Sequence, residues 1–120
     1  SALPDCFYRA EFYRQLCKTI NLQGIVAVNF VVKDEEDALR LMRLMYEGFQ
    51  QHILCLSVGS YMNLVVLGFR QDPLSMSGVV LKQTLLQLGK KFSLDFEALL
   101  ANIKQNNPHL EQRITGHFEL

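Results

Sequence analysis

Three long apolar runs and four amphipathic stretches share out this chain. Gly24–Val32 is β-branched and nearly unbroken, with Asn29 its only polar side chain. A half-exposed strand alternates apolar with polar positions, so this run predicts a strand covered on both faces. Ile53–Val58 and Tyr61–Phe69 flank Gly59–Ser60, a two-residue hairpin signal because glycine tolerates positive φ at the turn. Gly68, near the end of the last run, predicts a bulge or the close approach of another backbone.

The helical stretches surround these runs. In Pro4–Asn21 the residues Phe7, Ala10, Tyr13, Cys17 and Ile20 recur at helical spacing, and Phe12 and Leu16 widen the stripe. Lys33–Asp37 supplies a turn and an acidic start favoured by the helix dipole. The helix that follows, Ala38–Gln51, has one stripe of Ala38, Leu41, Met42, Met45 and Phe49. Leu39, Leu44 and Tyr46 fall outside it, and a helix packed on a sheet buries a stripe only somewhat over 100° wide. The surplus meets either another helix of this chain or a second protein. The second outcome makes Leu39, Leu44 and Tyr46 an interface with Arg40 and Arg43 at its rim. Asp72–Pro73 or Ser77 then opens Val79–Leu88, which Gly89 ends. Ser93 opens Leu94–Lys104, and Asn106–Asn107–Pro108 stops it. Arg113–Leu120 is expected as an edge strand or a loose tail.

This order predicts an α+β domain, a sheet of three to four strands packed with about four helices. With the third strand between the other two it is a split β-α-β of ferredoxin type. The alternative is the small sandwich of roadblock and longin domains. A first helix leading into Leu22-Gln23-Gly24-Ile25-Val26-Ala27-Val28-Asn29 resembles the opening of a roadblock domain. That resemblance implies a protein that dimerises through its middle helix and scaffolds small GTPases or motor complexes. The chain departs from that family after Asn29, where a second strand should follow and Asp34 starts a helix instead.

At 120 residues the chain fits a single domain, 1–120, with 106–120 its loose or edge-forming end. Ser1 marks either a cloning remnant or the edge of a fragment. Twelve basic residues balance twelve acidic ones, so no global field favours nucleic acid. The apolar runs fall far short of the roughly 20 residues that cross a bilayer, so membrane insertion is not expected. Cys6, Cys17 and Cys55 form no CxxC pair; scattered thiols of this kind suggest a reducing compartment, cytoplasmic or nuclear. His52 is close to Cys55, but at i and i+3 on a strand the two point to opposite faces and make no nucleophile with its base. His109 and His117 are too far apart for a helical zinc pair, and no cysteine accompanies them. Asp34-Glu35-Glu36-Asp37 lacks the spacing of a calcium loop. No cofactor, metal or catalytic residue is therefore expected. The residues point to a non-enzymatic module that binds a protein partner or dimerises, an adaptor or scaffold. The alternative is a small-molecule-sensing or enzymatic α+β domain whose site forms between subunits.

Overall fold

A computed structural model describes residues 3–58, 63–75 and 78–118. The expected α+β class holds: an antiparallel sheet of three strands lies between two groups of helices. Its strands are β1 (Ile25–Val31), β2 (Ile53–Val58) and β3 (Asn63–Phe69), in the order β1-β3-β2. The third strand is thus central, as a split β-α-β requires, and β1 and β2 run parallel to each other on either side of it. The turn 59–60 lies outside the described residues, as do Tyr61 and Met62 of the predicted third run and the Ser77 cap.

On one face lie α1 (Ala10–Thr19) and α2 (Glu35–Gly48). Their Tyr13, Cys17, Leu41 and Met45 share a core with Phe30, Cys55 and Val66. Asp34 caps α2, accepting the Asp37 N–H at 2.8 Å, which matches the acidic start read from the sequence. The two helices touch at Gly48. A Cβ there would lie 2.3 Å from the Tyr13 Cβ, so only glycine fits the crossing. On the opposite face α3 (Gly78–Lys91), α4 (Phe96–Asn106) and α5 (Glu111–Phe118) bring Leu81, Leu85, Leu99, Ile103 and Ile114 onto Leu54, Leu56, Val65 and Leu67.

Five local expectations need correction. The first helix is broken at Arg9, whose extended backbone (φ −127°) separates a 3₁₀ turn, Asp5–Tyr8, from α1. Helix α3 runs through Gly89 to Lys91, because Gly89 serves a close approach: a Cβ there would stand 2.7 Å from the Leu94 carbonyl oxygen. The left-handed residue that follows is Ser93 (φ 58°), and Asp95 caps α4. Gly68 is neither bulged nor near a foreign backbone; it stays in register and makes room for the Phe49 ring. Finally, the tail forms helix α5, and its described residues add no fourth strand.

The fifth correction concerns β1, expected to be covered on both faces. It is an edge strand. Across the sheet Ala27, Leu67 and Leu54 form one row and Asn29, Val65 and Leu56 the next. The β2 and β3 members of both rows are buried, whereas Ala27 and Asn29 are exposed and Val31 is 67% exposed. Of β1, only Ile25, at its start, packs on this face against the core shared with α3, α4 and α5.

The other edge is closed. Asn107 Oδ1 accepts the Cys55 N–H at 3.0 Å, and its Nδ2 donates to the Cys55 carbonyl at 2.8 Å. Asn102 repeats the pattern on Ser57, at 3.0 and 2.6 Å. Each side-chain amide presents one donor and one acceptor, as a peptide group of a neighbouring strand would. Two asparagines therefore occupy the edge of β2 that another chain would otherwise pair with.

Candidate functional site

Among the described residues two clefts bring polar side chains together, and helix α2 has a part in both. The first opens at the carboxyl end of β1. There Asp37, on the first turn of α2, accepts the Lys33 backbone N–H at 2.9 Å and the Tyr8 hydroxyl at 3.0 Å. The Lys33 N–H is the main cause holding its carboxyl below the usual range; burial opposes and the Tyr8 hydroxyl adds to it. Arg40 lies over the Tyr8 ring, 4.8 Å from its centre, a cation–π contact. With Arg9, Lys33 and Asp5 these residues line about 480 Å³. Three cations face two carboxylates there.

The second cleft lies between the C-terminal half of α2, the start of β2 and the α4–α5 connection. Its polar part, about 230 Å³, is lined by Tyr46, His52, Asp72, His109 and Arg113 among others. Asp72 accepts from Arg113 at 2.6 Å and from the Leu74 N–H at 3.0 Å. Burial raises the Asp72 carboxyl, but the Arg113 and Leu74 hydrogen bonds outweigh it, and the group stays below the usual carboxylate range. The backbone reaches this cleft through Gln50 and Gln51, both in the left-handed region (φ 54° and 74°). His52 Nδ1 is buried there with no partner among the described residues. The apolar part, about 250 Å³, is lined by Leu39, Met42, Arg43, Tyr46 and Cys55, with Asn107 at its floor. Burial pushes the Cys55 thiol up to about 12, so it stays protonated and inert at neutral pH.

The five residues expected at an interface are thus divided. Leu39, Arg43 and Tyr46 line the second cleft, with Leu39 and Tyr46 47% and 38% exposed. Arg40 belongs to the first cleft. Leu44 is half-buried and packs against the same core as Leu41 and Met45. The residues that sequence reasoning passed over are Tyr8, Asp72, Asn102, Asn107 and Arg113. Each works through a partner at least 29 positions away, which no local spacing signals. Among the described residues no group of three or more His, Cys, Asp or Glu side chains is placed to hold a metal. No helix among them is long and apolar enough to cross a membrane.

No protein-family model matches the chain, and no solved structure does. Curated relatives do. The chain is 27% identical over 105 residues to the polyamine aminopropyltransferases of Neisseria meningitidis serogroups A and B. It is 22% identical over 116 residues to the polyamine aminopropyltransferase of Chromobacterium violaceum. These matches cover 88% and 97% of this chain but only 40% and 42% of the relatives. All three bear the name of an enzyme. That finding overturns the expectation of a non-enzymatic adaptor or scaffold.

Proposed function

We propose that these residues are part of an enzyme that transfers an aminopropyl group to a polyamine acceptor. The observation that carries the reading is the similarity to three polyamine aminopropyltransferases along nearly the whole chain. Of the alternative read from the sequence, a small-molecule-sensing or enzymatic α+β domain whose site forms between subunits, it takes up only the enzymatic part. Because the chain spans about two fifths of those relatives, the reaction centre is taken to include residues beyond these 120.

Physical chemistry limits what the described clefts contribute. A polyamine is a polycation and needs carboxylates or aromatic faces around it. The first cleft has more cations than carboxylates, and Asp37 is already held by Tyr8 and Lys33. Asp72 is likewise engaged, by Arg113. We therefore assign the amine-binding carboxylates to the remaining polypeptide, and to these residues the sheet and helices that support it. Free cysteines, two of them buried, fit a reducing compartment.

The test is a transfer assay on the complete natural polypeptide. It is run with the donor and acceptor mixture in which the meningococcal relative is active, and mass spectrometry follows the acceptor. An acceptor that gains one aminopropyl unit supports the reading. An unchanged acceptor, beside a working control, refutes it.

A further inference from the structure

We infer that the second cleft binds a small amphipathic acid, an aromatic or aliphatic body that carries one carboxylate. The inference stands apart from the aminopropyltransferase reading, whose acceptor has the opposite charge.

The cleft has the build of a small-molecule site. Its polar part, about 230 Å³, and its apolar part, about 250 Å³, share Tyr46, Ile53 and His109 in their walls. Together they fall within the range of about 300–1,000 Å³ common to ligand pockets, which are mostly apolar with a few placed polar groups. The fold also carries features here that its stability does not ask for. Leu39 and Tyr46 stay exposed on a helix whose other face is packed in the core. Gln50 and Gln51 hold left-handed backbone just before β2, although neither is a glycine. His52 Nδ1 is buried with no partner among the described residues. Local departures of this kind gather at functional sites.

Charge selects the ligand. Among the described residues Asp72 is the one carboxylate lining either part, and Arg113 holds it at 2.6 Å. Arg43 lines the apolar part with His109 and forms no ion pair among the described residues. An acid seated there sets its carboxylate at the Arg43 guanidinium, whose planar fork matches it with two hydrogen bonds. Its body lies against Leu39, Met42 and Tyr46, three apolar side chains of the same wall. An amine in that place meets a cation and no free carboxylate. Leu39 and Tyr46 are also side chains expected at an interface, so the ligand and a second copy of the chain compete for them.

Three probes with one body and different heads test the proposal: phenylpropionate, phenylpropanol and phenylpropylamine. Each is titrated into the complete natural polypeptide while NMR follows the Met42 methyl, assigned with a Met42→Leu variant. Phenylpropionate should shift that methyl saturably and bind about tenfold or more tighter than the other two, the worth of a hydrogen bond to a charged group. Arg43→Gln should bring the acid down to the level of the alcohol. Arg40→Gln removes a cation from the other cleft and should leave all three affinities unchanged. Equal affinities for acid and alcohol overturn the proposal, as does tighter binding of the amine. So does an Arg43→Gln variant that binds the acid as the parent does. A Met42 methyl that no probe moves also overturns it, and leaves the cleft to a second copy.

Discussion

Asn102 and Asn107 make the same pair of bonds to the same strand, and they should differ several-fold in what they contribute. Asn107 is 2% exposed and its partner Cys55 is buried, whereas Ser57, the partner of Asn102, is exposed. In Asn107→Ala the Cys55 N–H and C=O lose their partner where water does not replace it. Each unsatisfied buried group costs about 1–3 kcal/mol, so the variant should lose about 2–5 kcal/mol. Set against a domain stability of about 5–15 kcal/mol, that is a large part of the total. It corresponds to a fall in Tm of roughly 10–20 °C. In Asn102→Ala water replaces the amide, and the loss should stay near the net worth of a hydrogen bond, about 1 kcal/mol. Asn107→Asp adds a sharper arm. A carboxylate can accept from Cys55 but cannot donate to the Cys55 and Ile103 carbonyls, which Asn107 reaches at 2.8 and 2.7 Å. It should lose at least as much as the alanine variant. Urea titrations followed by circular dichroism measure all three. Equal small losses for Asn107→Ala and Asn102→Ala would refute the claim that burial sets the value of these amides.

Three further outcomes are expected. Gly48→Ala places a methyl 2.3 Å from the Tyr13 Cβ, so it should force α1 and α2 apart and cost about 1–3 kcal/mol or more; an unchanged urea midpoint refutes this. Asp37 and Asp72 ionise more readily in the folded chain than unfolded. Their stabilisation is therefore complete above the ordinary carboxylate pKa near about 4 and is lost as pH falls through their lower folded values. Asp72→Asn should accordingly be less stable than the parent at pH 7 and approach it in acid, and a stability difference independent of pH sinks the assignment. Leu39→Glu with Tyr46→Glu should fold normally, since both side chains are exposed. We propose that this face is an association surface, so light scattering should show the double variant to be less associated than the parent; identical masses count against it.

Periodicity was enough to read the sheet runs and the face of α2 that packs on them, because both are local patterns. Leu41, Met45 and Phe49 are buried as their spacing requires. The cover on β1 was misread for a physical reason. An unbroken apolar run does not say which elements pack on it, and one face of β1 carries Ala27, Asn29 and Val31 exposed. Gly89 was misread because a helix-ending glycine and one that admits a neighbouring carbonyl look alike in sequence. The clefts were out of reach altogether. Tyr8 with Asp37 and Asp72 with Arg113 are joined by folding alone, 29 and 41 positions apart.

The sealing of β2 has a consequence for how this chain can go wrong. Edge-to-edge growth of sheets is a step polymerisation, and it needs two reactive ends per molecule. With its β2 end occupied by its own asparagines, this chain is a monofunctional unit. Any β1-to-β1 pairing uses the same surface on both molecules and closes on itself as a two-fold pair. Edge-to-edge growth of this chain should therefore not pass such a pair. Removing Asn102 and Asn107 together would restore the second end and turn a chain terminator into a monomer capable of fibre growth.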